Sequence, residues 1–149
     1  MNLMKARLDL AVDRNCDGVE PDNVDGFENP TGFLLTAADQ LAFKRTLYNE
    51  AHSRGLAVAM KNDVGQVPDL LAYVDMHVSE RCHELDECRF LDPFIAEGKP
   101  VLNAKYLQQY VANASARDAM CAAALGRGLR TLVLPEDLDD SFRFSCDPN

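Results

Sequence analysis

The stretch CDGVEPDNVDGF, residues 16–27, sets four carboxylates, Asp17, Glu20, Asp22 and Asp25, among few apolar residues. Three further polar groups follow at intervals: Lys61, Asn62 and Asp63; then Ser79, Glu80, Arg81 and His83; then Asn103, Lys105 and Tyr106. Each follows a short apolar run that reads as a strand. Two carboxylates facing a cleft are what cleavage of a glycosidic bond requires: one protonates the leaving oxygen and the other attacks the sugar or activates water. Cations and amides such as Lys61, Asn62 and Lys105 would hold one acid ionised or bind hydroxyls. Acidic loops also arise simply as solvated helix caps, but four successive strand ends carrying such groups point to a site.

Metal chemistry is a weaker reading. DRNCDG, with Asp13, Asn15, Asp17 and Gly18, matches the opening of a calcium loop, yet the twelfth position is Val24 where a bidentate Glu belongs. Cys82 and Cys88 with His77 or His83 give Cys-x5-Cys, which is not a recurrent structural zinc spacing. No metal and no cofactor is expected.

The elements that must position these groups are legible from punctuation. Candidate strands run over Gly18 to Pro21, Leu56 to Met60, Val74 to Val78, Pro100 to Ala104 and Leu129 to Leu134. They lack clean polar alternation, as parallel strands covered on both faces do. Between them, Thr36 and Asp39 fit a capping box for a helix over Ala37 to Arg54 that stops at Gly55, with Leu41, Leu47 and Ala51 facing inward. Pro68 and Pro93 occupy first-turn positions, Gly98 reads as a helix stop, and Ser115 as the cap of the Ala-rich stretch through Leu125. Asn2 to Arg14 has helical spacing as well. The order is helix and strand in alternation, which predicts right-handed crossovers onto a parallel sheet: an open doubly wound sheet or part of a (β/α)8 barrel. In both, chemistry gathers at the carboxyl ends of the strands.

At 149 residues and 47% apolar content, the chain is long enough for a core and is expected to form a single domain over 1–149. Its formal charge of -9 repels nucleic acid and anionic membranes and favours neutral or cationic partners. No apolar run reaches the length of a membrane span, and MNLMKARLDL lacks the pattern of a signal peptide. Five cysteines point to an oxidising compartment. Cys82 and Cys88 are close enough to staple one loop, Cys121 and Cys146 would tie a late helix to the carboxyl-terminal tail, and Cys16 is left over.

In order and approximate spacing, ARLDLA, CDGVEPDNVDGF, TGF, GLAVAMKND, SERCHELDEC, GKPVLNAKY and LRTLVLP resemble glycoside hydrolase family 114, the endo-α-1,4-polygalactosaminidases. The resemblance runs from about Met4 to Cys146 and implies a partial (β/α)8 TIM barrel, strands four to eight, with about five parallel strands. It implies secretion and a galactosamine-rich polysaccharide or oligosaccharide as partner. It also implies Asp22 as nucleophile or base-side carboxylate, Glu80 as general acid/base, a Cys82–Cys88 disulfide, and sugar subsites formed by Asn23, Asp25, Lys61, Asn62 and Asp63. Glu20, Lys105 and Tyr106 join the expected substrate-binding set from their strand-end positions. The chain departs from the family in having Arg81 where Gln is usual and Lys105 where an acid is common before the tyrosine. The other reading is a non-catalytic half-barrel remnant or carbohydrate-binding module that forms homo-oligomers through open strand edges.

Overall fold

A computed structural model describes residues 1–148. The chain divides into two compact units, Met1–Met76 and His77–Asn149.

In the first unit, α1 (Asn2–Asp13) leads into β1 (Gly18–Val19), and α2 (Ala37–His52) into β2 (Ala57–Lys61). The capping box forms as expected: Thr36 Oγ1 accepts from the Asp39 amide while the Asp39 carboxylate accepts from the Thr36 amide. The helix ends just short of Gly55, whose φ of 77° is the left-handed conformation that a glycine adopts without penalty. Strands β1 and β2 are parallel, with Gly18 opposite Ala57 and Val19 opposite Val58. A Cβ at Gly18 would lie 2.7 Å from the Ala57 carbonyl oxygen, so only glycine admits this approach. β1 stops before Pro21, which has no N–H for a ladder.

The inner face of α2 carries Leu47 and Ala51 as expected and Tyr48 besides, but Leu41 is only half-buried. Gln40 and Lys44 are buried on that face too, and both reach Asp63 beyond β2. A short helix, α3 (Val67–Leu70), carries Pro68 in its first turn. Asp75 then ties the unit together, accepting from the Val58 amide at 2.7 Å and pairing with His52 at 2.9 Å.

The second unit contains β3 (Met76–Glu80) from its second residue on, α4 (Asp92–Ala96), β4 (Val101–Lys105), α5 (Gln108–Ala112), α6 (Ala114–Gly126), β5 (Arg130–Val133) and β6 (Phe144–Ser145). β3, β4 and β5 are parallel neighbours; β6 runs antiparallel on β5. Three sequence expectations are corrected here. The third strand lies two residues later than Val74 to Val78, so Glu80 ends the strand itself. The cap of α6 is Asn113, whose side chain accepts from the Ala116 amide at 3.1 Å, because α6 begins at Ala114 and already includes Ser115. Finally, β6 was not anticipated; Cys146, just beyond it, is bonded to Cys121 of α6, and Arg117 of α6 stacks on Phe142 and Phe144 at 5.3 and 4.5 Å.

On β3, β4 and β5 burial alternates. His77, Ser79, Val101, Asn103, Lys105, Thr131 and Val133 are buried, whereas Leu102 is 43% exposed. Since successive residues face opposite sides of a sheet, Glu80, which is in register with Ala104, faces the side opposite Lys105.

Candidate active site

At the end of β1, Asp22 Oδ1 accepts from Lys61 Nζ at 2.9 Å and from the Asn23 amide at 2.8 Å. The Lys61 ammonium, with help from that amide, holds the Asp22 carboxyl below its ordinary value although partial burial opposes it. Asp22 is therefore ionised at neutral pH and half-exposed, the state required of a nucleophile or base. Glu20 is a second carboxylate near the same ammonium, at 3.8 Å. Asp22 lines two adjoining hollows of about 540 and 410 Å³; Glu20 lines the larger, Asn23 the smaller.

At the end of β3, Glu80 Oε1 accepts a hydrogen bond from Tyr106 Oη at 2.7 Å. Tyr106 comes two residues after Ala104, so strand alternation returns it to the Glu80 side. Burial, and then the Glu80 carboxylate, push the Tyr106 phenol above its ordinary value, keeping it a hydrogen-bond donor. The Arg81 guanidinium lies 5.4 Å from the Tyr106 ring centroid and pairs with Glu136. Sequence reading singled out Glu80 and Tyr106 but not the Arg81–Glu136 pair, whose members are 55 positions apart.

The backbone turns sharply at these strand ends. Asn23, Asn62, Asp63 and Arg81 have φ of 53°, 45°, 48° and 58°, left-handed values that asparagine and aspartate tolerate and arginine rarely adopts. Such residues persist where surrounding structure holds them, and they concentrate at functional sites.

Two residues expected to contact sugar are placed elsewhere. Asp63 has a fully buried side chain that pairs with Lys44 and accepts from Gln40 Nε2 at 3.0 Å. Burial raises its carboxyl above the ordinary value despite Lys44 and Gln40, with Asp25 adding a smaller repulsion. Lys105 is also fully buried, with Nζ 3.5 Å from Cys82 Sγ. Lying inside β4 instead of beyond it, Lys105 turns to the covered face and offers no surface to a ligand. Asn23 and Asp25 stay at the β1 end; the Asp25 carbonyl accepts from Asn29 Nδ2 at 3.1 Å. Asn62 follows Lys61 at the end of β2.

Disulfides join Cys82 to Cys88 and Cys121 to Cys146, and Cys16 is free and exposed. Among the described residues one grouping has metal-ligand spacing, Cys82, His83 and Cys88, and the disulfide occupies two of its three donors. No helix among those residues is long and apolar enough to cross a membrane.

Comparison with solved structures places this arrangement. Aspergillus fumigatus Ega3, solved in complex with galactosamine, is 33% identical over 97% of this chain and 60% of its own, with a TM-score of 0.87. The glycoside hydrolase domain of PelA from Pseudomonas aeruginosa shares the fold at 17% identity, over 95% of this chain and 61% of its own, with a TM-score of 0.69. The chain thus spans about 60% of the length of these relatives. A comparison with curated proteins found no significant match.

Parallel strands alternating with helices, and this similarity, define a partial TIM-barrel-like α/β protein of the glycoside hydrolase kind. The chain belongs to glycoside-hydrolase family GH114, whose profile matches residues 1–149.

Proposed function

We propose that the chain takes part in endo-hydrolysis of α-1,4-linked galactosamine-rich polysaccharide, with Asp22 as nucleophile or base-side carboxylate and Glu80 as general acid/base. The observation carrying this reading is the 33% identity to a protein solved with galactosamine. The polar groups at the ends of β1, β2 and β3 support it. Asp22, ionised by its contact with Lys61, suits attack on the anomeric carbon or activation of water. Tyr106 donates to Glu80 and fixes the orientation of its carboxyl group beside the leaving oxygen, as the proton-transfer role requires. Glu20, Asn23, Asp25, Asn62 and Tyr106 bind the sugar around them, and Lys61 keeps Asp22 charged. The net charge of -9 favours a cationic, deacetylated polymer.

Release of reducing ends from galactosaminogalactan by the 149-residue chain tests this. Loss of release in both Asp22→Asn and Glu80→Gln is expected. Equal activity in all three proteins overturns the assignment, and binding without turnover by the unmodified chain favours the carbohydrate-binding reading.

Secretion and homodimerisation belong to the same proposal. Two disulfides suit an oxidising compartment, and the exposed side chains of Phe33, Leu34 and Leu35 suit a surface covered by a second copy. Sedimentation equilibrium checks the dimer.

A further inference from the structure

The Cys82–Cys88 bond lies in an environment unlike that of an inert staple. Around Cys82 Sγ stand Lys105 Nζ at 3.5 Å, Asn103 Nδ2 at 3.6 Å and His83 Nδ1 at 3.9 Å. Asn103 and Lys105 are buried, and both approach from β4, on the covered face of the sheet. A disulfide sulfur is a weak acceptor, so it compensates a buried ammonium poorly. Burial accordingly brings Lys105 down to about 8, with Glu84 opposing, and brings His83 down to about 4, with Lys105 and Arg127 adding to the effect. His83 is therefore neutral at pH 7, while Lys105 is still mostly charged.

A thiolate at Cys82 would change that balance. It would give Lys105 an opposite charge and Asn103 a strong acceptor in a site closed to water, where such interactions are least screened. Cys88 as a residue is slightly less buried than Cys82, 7% exposed against 1%, so attack is assigned to Cys88. Both cysteines line a hollow of about 250 Å³ with Asp86, Arg89 and Arg127, in which Arg89 pairs with Asp86 while Arg127 pairs with Asp92.

We infer that Cys82–Cys88 is a reversible thiol–disulfide exchange site, in which Lys105 and Asn103 stabilise the Cys82 thiolate as the leaving group. The reductant is a dithiol. Its first thiolate attacks Cys88 Sγ; the Cys82–Cys88 bond breaks, its electron pair goes to Cys82 Sγ, and a mixed disulfide forms at Cys88. The second thiol of the reductant loses its proton to solvent, and the resulting thiolate attacks the reductant's first sulfur, the one bonded to Cys88 in that mixed disulfide. This closes a cyclic disulfide and expels the Cys88 thiolate, which takes up a proton. The protein disulfide gains two electrons and the dithiol loses two. The exchange opens the covalent clasp on the loop that begins two residues after Glu80.

The test uses the full chain equilibrated with mixtures of reduced and oxidised dithiothreitol at neutral pH, then alkylation and mass spectrometry of each cysteine. Cys121–Cys146 is the internal reference. Cys82–Cys88 is expected to reach half-reduction at about a tenfold lower ratio of reduced to oxidised reagent than Cys121–Cys146. Lys105→Met is expected to raise that ratio about tenfold, equal to about 30 mV for a two-electron couple, and to leave Cys121–Cys146 unchanged. Asn103→Ala, expected to act in the same direction, serves if Lys105→Met does not fold. Reduction of both pairs at the same ratio in the unmodified chain, or variant values within about twofold of it, overturns the inference.

Discussion

The Lys61 ammonium stands 2.9 Å from Oδ1 of Asp22, bringing the end of β2 to the loop after β1. This contact is the largest influence holding the Asp22 carboxyl below its ordinary value. Replacing Lys61 with methionine removes the cation that favours the charged form, so the Asp22 value is expected to rise. Carboxyl ¹³C shifts of Asp22 followed through an acid titration measure this without any assay. In the polysaccharide assay, the acid limb of the rate profile moves to higher pH in the same variant. An unmoved Asp22 titration contradicts this account of the contact.

Tyr106→Phe deletes the hydroxyl that donates to Glu80 and keeps the ring under Arg81. A hydrogen bond to a charged group is worth about 1.5–3 kcal/mol, so kcat is expected to fall about tenfold to a hundredfold. KM should change little, and steady-state kinetics separates the two. A change confined to KM would assign Tyr106 to sugar binding alone.

Lys44 and Asp63 form a fully buried ion pair. Lys44→Met strands the carboxylate with Gln40 as its remaining polar partner and is expected to cost about 3–5 kcal/mol in urea unfolding. Lys44→Met combined with Asp63→Asn removes both charges, and asparagine tolerates the left-handed backbone there, so much of that loss should return. Burial has already raised the folded-state value of Asp63 above its unfolded one. Removing Lys44 takes away the contact that holds this value down, so it rises further in Lys44→Met, and the deficit shrinks as pH falls from the variant's value toward the parent's.

The cap of α6 offers a small, direct comparison. Asn113→Ala is expected to cost about 1 kcal/mol, whereas Ser115→Ala should stay within about 0.5 kcal/mol of the parent. Thermal or urea unfolding of the two variants decides which residue caps the helix.

Much of the architecture was legible because local chemistry marks it. Thr36, Asp39 and Gly55 delimit α2, and Gly18 opens β1. The features that were not legible depend on partners distant in sequence. Lys44 reads as a solvated lysine on a helix until Asp63, 19 positions on, supplies its counter-charge. β6 is two residues long, too short to show periodicity, and is tied down by the Cys121–Cys146 bond and the Arg117 stack. Shifts of a single residue mattered most at the candidate site. Moving the end of β4 from Ala104 to Lys105 turned an expected sugar contact into a buried group beside a sulfur.

The left-handed residues after Asp22, Lys61 and Glu80 bear on how relatives can be recombined. Asn62 and Arg81 directly follow β2 and β3, and Asn23 lies four residues past the end of β1, so each fixes the direction in which the segment after it leaves. A chimera that exchanges these loops between family members keeps its exit angles only if the splice falls ahead of the turning residue. A junction one residue later would join a foreign loop to the wrong trajectory while leaving every acidic side chain in place.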